Sequence, residues 1–289
     1  MKVLRGFKHP GVPSCVLTFE PHPRDYFAEL HKKPELAPAR VGTLRDKLED
    51  LAQCGVDQTV VLPFDARLAN QSPQEFIQQV LVDGLGAKYV LVGDDLRYGA
   101  GRAGDYTMLD AAGQAAGFDV ARMNSYEVHG LRVSSSAVRD ALGQGRMQDA
   151  ARLLGRPYYI SGHVVHGRKL GRTLGFKTLN LRFAHWKPAA SGIFVVVHGL
   201  SHKPIQGVAN LGVRPSLDPN DVNGGRVLLE THCLDWPDAL GAEGAYGKII
   251  RVELLHKLHD ELKYDSLDAL TFGIRQDCEA ARAWFSKRI

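Results

Sequence analysis

Residues 167–181, GRKLGRTLGFKTLNL, set Gly167, Gly171 and Gly175 four apart and then bring Thr178 and Asn180 forward at strand spacing. Three glycines would each cost a helix about 1 kcal/mol relative to alanine, so the stretch reads as a loop that closes over a ligand. Further along, Glu230 stands in VLLETHCL, an acid among apolar neighbours. One reading pairs it across a sheet with an arginine such as Arg226 or Arg251. The other sets a carboxylate beside a phosphate-binding loop, the part needed to orient and deprotonate a substrate hydroxyl.

Three further segments carry groups of the right type. VGDDLRYG places Asp94 and Asp95 at the carboxyl end of a strand, where open α/β sheets bind ligands, although solvated turn aspartates would read the same. SSSAVRDAL opens a helix with Ser134 and Ser135 and carries Arg139, a set of hydroxyls, free amides and one guanidinium suited to an anion; serines also cap helices that bind nothing. FEPHPR follows a strand with a stiff turn in which His22 is a ligand contact or a loop residue. GAGRAG, residues 99–104, fits the dinucleotide pattern, but DDLRY separates it from its strand, which argues against a nicotinamide-dependent oxidoreductase.

These residues need a scaffold, and the 289-residue chain supplies two kinds. From residue 14 to about 155, SCVLTF, QTVVLPF, KYVLVG and FDVARM alternate with helical patterns, the rhythm of a parallel sheet covered by helices. TLRDKLEDLAQCG has Leu44, Leu48 and Leu51 on one face, and SPQEFIQQVL opens as a capping box. After Pro157 the runs YYISGHVVHG, GIFVVVHGL, PIQGVANLG, RVLLETHCL and KIIRVELLHKL give an antiparallel barrel or sandwich, closed by an amphipathic helix capped by Ser266. The expected division is 1–155 and 156–289. A formal net charge of +4 is too mild for a nucleic-acid partner. Four scattered cysteines indicate neither a zinc site nor a disulfide framework, no apolar run is long enough to span a membrane, and MKVLRGFKHPG lacks the apolar core of a secretory signal. A soluble cytoplasmic protein is expected, of an oligomeric state that the sequence leaves open.

Taken in order, FEPHPR, VGDDLRYG, SSSAVR, GHVVHGRKLGRTLGFKTLNL, GVANLGVRPS and LLETHCLD resemble the signature segments of the bacterial bifunctional riboflavin kinase/FMN adenylyltransferases, or FAD synthetases, over nearly the whole chain. The resemblance implies a nucleotidyltransferase-like α/β domain followed by a riboflavin-kinase-like β-barrel with a C-terminal helix. It implies that the glycine loop closes over ATP phosphates, that Thr178 and Asn180 bind Mg2+ and nucleotide, and that Glu230 is the catalytic base for phosphorylating riboflavin to FMN. In the first half it places His22, Asp95, Ser134, Ser135 and Arg139 on the nucleotide that adenylylates FMN to FAD. Riboflavin, FMN and ATP are the partners so implied.

Two departures stand out. Where the family usually reads P-T-A-N, this chain has Lys177, Thr178, Leu179 and Asn180, so a charge and extra bulk are expected near the phosphates. In the family a strand, the G-x-F-D-G-V-H-x-G-H segment and a helix stand between the opening strand and the one matching SCVLTF, whereas here MKVLRGF passes through KHPGVP straight into it. The expectation is a riboflavin kinase whose adenylyltransferase-like half lacks its two-histidine nucleotide site. The complete bifunctional activity and a non-catalytic flavin or nucleotide sensor are the alternatives.

Overall fold

The four apolar runs of the first half form β1 (Cys15–Glu20), β2 (Gln58–Pro63), β3 (Tyr89–Gly93) and β4 (Asp119–Met123). They belong to a computed structural model that describes residues 11–123, 126–128, 130–166, 176, 178–182, 187–200, 204–213, 227–238, 241 and 244–288. Between the strands run α1 (Pro23–Leu30), α2 (Leu44–Gln53), α3 (Ala66–Ala69), α4 (Pro73–Phe76) with a π-helical continuation over Ile77–Gly84, and α5 (Tyr106–Ala116). A short hairpin, β5 (Glu127–Val128) with β6 (Leu131–Arg132), follows. The capping box is present: Ser72 Oγ accepts from Glu75 N at 3.2 Å, and Glu75 Oε2 accepts from Ser72 N at 2.8 Å. These bonds satisfy two of the donors that a helix start leaves open.

The expected parallel strands are present, and among the described residues they form two pairs. β1 pairs with β2 and β3 with β4, both in parallel, and no strand among the described residues joins the pairs. Side chains span the division instead. Ile77, Leu81, Leu109 and Phe118 form a buried cluster that takes in Leu17 of β1 together with Val90 and Val92 of β3 and Val120 of β4.

The second half is a closed antiparallel barrel of β7 (Tyr158–Val165), β8 (Thr178–Arg182), β9 (Gly192–His198), β10 (Ile205–Val213), β11 (Val227–Cys233) and β12 (Ile249–His259). Around the ring the order is β10, β11, β8, β7, β12, β9, with β9 closing onto β10. Every strand has two neighbours, so no edge is left to template another chain. Period-two alternation sends Leu179, Leu181, Phe194, Val196, Ala209, Leu211 and Leu229 inward.

His198 and Thr231 are fully buried polar side chains of this interior. His198 Nδ1 lies 3.0 Å from Ile205 O and donates to it, while Nε2 accepts from Thr231 Oγ1. Burial pushes the imidazole down to about 4, so it is neutral, as that bonding requires. The ring fits because residue 207 is glycine: a Cβ there would stand 2.2 Å from His198 Cε1.

The sequence changes grammar at Arg156, whereas the packing changes earlier. The compact units are Met1–Pro38 with Leu48–Arg132, and Ala39–Lys47 with Val133–Ile289. Helices α6 (Ser135–Gly143) and α7 (Met147–Leu154) belong to the second because Val138, Leu142, Met147 and Leu153 are buried in one cluster with the barrel interior. The 39–47 segment is tied there by polar contacts. Asp46, almost fully buried, accepts from Ser161 Oγ of β7 and from Thr43 N, the latter at 2.9 Å. The last helix, α8 (Leu267–Ser286), is capped by Ser266 as expected. Its Ala281, Trp284 and Phe285 pack with Val195, Val208 and Leu234 on the barrel's outer side.

Candidate active site

Strand register brings the polar residues of the barrel together. On β8 and β11, Thr178 lies opposite His232 and Asn180 opposite Glu230; on β10 and β11, Asn210 lies opposite Glu230. Directly opposed residues of antiparallel strands share a face, with Cβ atoms about 4.5–5.5 Å apart. Leu179, Leu181, Ala209, Leu211, Leu229 and Thr231, the alternating positions, point inward. Thr178, Asn180, Asn210, Glu230 and His232 therefore make one polar patch on the outer face. Asn180, Glu230 and Asn210 form a straight row across three strands. Asn180 is only 8% exposed, Glu230 is half-buried, and Phe176 packs edge-on against His232 with ring centroids 5.3 Å apart.

Glu230 has neither an ion pair nor a side-chain hydrogen bond with another described residue. The pairing with Arg251 is not made: Arg251 is on β12, whose neighbours are β7 and β9, and its guanidinium lies 3.6 Å over the Tyr159 ring and 3.2 Å from Glu253. Arg226, Gly167, Gly171, Gly175 and Lys177 lie outside the described residues. Leu179 corrects the expectation of bulk beside the phosphates. It is 3% exposed and buried in the barrel core, since a residue between Thr178 and Asn180 on a strand must face the other way.

The residues expected to bind nucleotide in the first half fall in separate units. His22, in the first, caps α1, its Nδ1 accepting from Arg24 N at 3.2 Å. Asp95 is exposed in the turn after β3, beside Asp94, which pairs with Arg132 at 3.2 Å. In the second unit, Ser134 caps α6 by accepting from Ala137 N at 3.1 Å, Ser135 is exposed, and Arg139 Nε donates to Ala39 O at 2.7 Å. GAGRAG has a local explanation. Tyr98 and Gly104 exchange backbone hydrogen bonds of 3.2 and 2.9 Å, and a Cβ on Gly104 would come within 2.7 Å of the Tyr98 ring.

Asn210 lies inside GVANLG, where residue type and spacing give it no role. Its position opposite Glu230 is a matter of register, which the motif alone does not contain. Its Oδ1 is buried and has no hydrogen-bond donor among the described residues.

The comparisons with known proteins accord with both halves. Residues 2–137 match the family model for FAD synthetase, and residues 154–285 match that for riboflavin kinase. A bifunctional riboflavin kinase/FMN adenylyltransferase of Escherichia coli K12 is 42% identical over 288 residues, covering 98% of this chain and 87% of the relative. The chain belongs to this family. The enzyme of the same name from Haemophilus influenzae is 40% identical, with 96% and 85% covered, and that from Pseudomonas fluorescens is 41% identical, with 94% and 83% covered. A solved structure described as a macrolide-efflux protein from Streptococcus pneumoniae superposes with a TM-score of 0.72 at 25% identity, covering 98% of this chain and 86% of that one. No described helix here is long and apolar enough to cross a membrane.

Proposed function

We propose that the barrel transfers the γ-phosphate of ATP to the 5′-hydroxyl of riboflavin, with Glu230 as the general base. The observation that carries this reading is the row Asn180, Glu230, Asn210, in which a carboxylate without a partner among the described residues is flanked on both sides by amides. Phosphoryl transfer depends on in-line placement and charge neutralisation more than on covalent help from the protein. A strand-borne carboxylate is well placed for such work because the barrel ladder fixes its backbone on both sides. Thr178 Oγ1 and Asn180 Oδ1 are hard oxygen donors, and that chemistry suits Mg2+. When bound, the ion would neutralise charge on the transferred phosphoryl group. Leu179 contributes to this arrangement only by anchoring β8 through the core.

The reaction is tested by single-turnover FMN formation beside thermal melts. Glu230→Gln keeps the size of the side chain and removes the basic oxygen, so turnover should fall about 100-fold or more while flavin affinity and melting hold. Equal turnover refutes the assignment. A protein that binds riboflavin and turns over nothing is instead the sensor.

A second reading, the complete bifunctional activity, is favoured by the match of residues 2–137 to the FAD synthetase model. The reading proposed here is FMN formation without appreciable FAD. It is supported by the sequence, in which MKVLRGF passes through KHPGVP straight into SCVLTF, and by β1–β2 and β3–β4 having no joining strand among the described residues. Separating riboflavin, FMN and FAD after incubation with ATP and magnesium distinguishes the two, and FAD formed at a rate comparable to FMN decides for the second. Four free thiols, at Cys15, Cys54, Cys233 and Cys278, support a reducing, cytoplasmic setting.

A further inference from the structure

We propose that Asn210 is a specificity-determining residue of the kinase site, its Oδ1 accepting a hydrogen bond from the 4′-hydroxyl of the ribityl chain, next to the hydroxyl that is phosphorylated. The inference rests on the riboflavin kinase reading above. Three observations lead to it. Asn210 and Glu230 are directly opposed on one face of β10 and β11, so their side chains leave the barrel side by side. Asn180 holds the opposite flank of Glu230. Asn210 Oδ1 is buried and meets no donor among the described residues.

The chemistry of that oxygen narrows what it can bind. An amide oxygen is an acceptor only, and an acceptor taken out of water without a donor is costly. Phosphate and carboxylate oxygens bring no proton at neutral pH and would repel it, so the nucleotide's phosphates belong on the Thr178 and Asn180 side. A ligand that lays a primary alcohol against Glu230 and also satisfies Asn210 must offer a second O–H one carbon away. Neighbouring hydroxyls of a polyol lie about 3 Å apart, a hydrogen-bond spacing that two groups on opposed strand positions can span together. The isoalloxazine ring also carries an N–H, but it sits at the far end of the ribityl chain from the reacting oxygen. Glu230 thus divides the row, with the phosphoryl donor on its β8 side and the acceptor polyol on its β10 side. Because the site is built to meet a hydroxyl, it should reject an acceptor lacking one.

The test compares kcat/KM for riboflavin and 4′-deoxyriboflavin, each with ATP and magnesium, in the wild type and in Asn210→Ala. The wild type should favour riboflavin by about 10-fold or more, the value of one well-made buried hydrogen bond. In Asn210→Ala the preference should collapse to within about 3-fold, through loss of activity on riboflavin with the deoxy analogue little changed. A structural role would lower both substrates alike and leave the ratio in place. Asn210→Ser, which retains a shorter acceptor, should recover part of the preference, and it serves with the wild-type ratio if the alanine variant does not fold. Equal use of both acceptors by the wild type overturns the proposal, as does a preference that survives in Asn210→Ala. If the wild type makes no FMN from riboflavin, the kinase reading fails and this one with it, an outcome distinct from FMN formation without discrimination.

Discussion

Lowering the pH should unlock the barrel through His198. The imidazole is sealed inside the barrel, donating to Ile205 O and accepting from Thr231 Oγ1, and burial depresses its pKa from 6.5 to about 4. Above pH 6.5 it is neutral in the folded and the unfolded chain alike, and its contribution to stability is complete. Below 6.5 the unfolded chain takes up a proton that the folded chain refuses until about pH 4, so the contribution is lost as pH falls through that window. At 1.36 kcal/mol per pKa unit, the loss from this one group amounts to about 3 kcal/mol by pH 4, a large share of the stability of an ordinary domain. The assay is urea unfolding at half-unit steps from pH 7.5 to 4, run on the wild type and on His198→Gln. Glutamine supplies one donor and one acceptor but cannot titrate. It should cost stability at pH 7 through imperfect packing and then lose less as the solution is acidified, so that the two curves converge by about 3 kcal/mol. The other ionisable groups are common to both proteins, so the difference between the curves isolates His198 together with His232, whose charge opposes that of His198. A gap between the curves that stays constant from pH 7 to pH 4 would show that His198 is protonated inside the fold or not sealed there.

Two other substitutions probe the barrel from opposite sides. Leu179→Ala should destabilise the protein by about 2–5 kcal/mol in urea unfolding, as emptying a core position does, and should leave the KM for ATP of the folded enzyme within about 3-fold, because the side chain faces away from Thr178 and Asn180. On the outer side, His259 Nδ1 donates to Asp260 O at 2.6 Å and Nε2 to Asp277 Oδ1 at 2.7 Å, bonding that both nitrogens can make only as the imidazolium. Burial opposes the charge, the bonds to Asp260 and Asp277 outweigh it, and the pKa lies above 6.5. The pairing therefore stabilises below pH 6.5 and fades as pH rises through the raised value, so Asp277→Asn should lower the melting temperature more at pH 5.5 than at pH 8.5. An equal loss at both would refute the charged pair.

Elements were legible in the sequence wherever one signal decided them. Ser72, Pro73 and Glu75 started α4, Ser266 started α8, and the β-rich runs RVLLETHCL and GIFVVVHGL, set between turn residues, gave β11 and β9. Barrel or sandwich was undecidable from those patterns, since both bury alternate residues and differ only in whether the last strand finds the first. The π-helical turns of Ile77–Gly84 were equally hidden, because IQQVLVDG has the composition of an ordinary helix. Asp46 drew no expectation from the sequence. Thr43 three residues before it is half of a capping box, the available hint that its carboxylate was already engaged. Within the site, Thr178, Asn180 and Glu230 could be named from type and spacing. Asn210 could not, since only the β10–β11 register puts it beside Glu230, whereas the strand spacing of Thr178 and Asn180 already turned Leu179 to the other face.

The order of strands around the barrel also bears on how activity appears during folding. Asn180, Glu230 and Asn210 reach one row because β11 is inserted between β8 and β10, and β8 in turn joins β11 to β7. Asn210 and Glu230 can meet within the hairpin of the consecutive strands β10 and β11, but Asn180 joins them only when β8, which β9 and β10 separate from β11 in the chain, pairs with β11. Such distant pairings are the slow ones, since the intervening chain must lose its freedom before the contact is made. Catalysis should thus be the last property to return when the denatured protein is refolded, after far-ultraviolet dichroism has recovered. FMN production then acts as a clock for ring closure rather than for collapse.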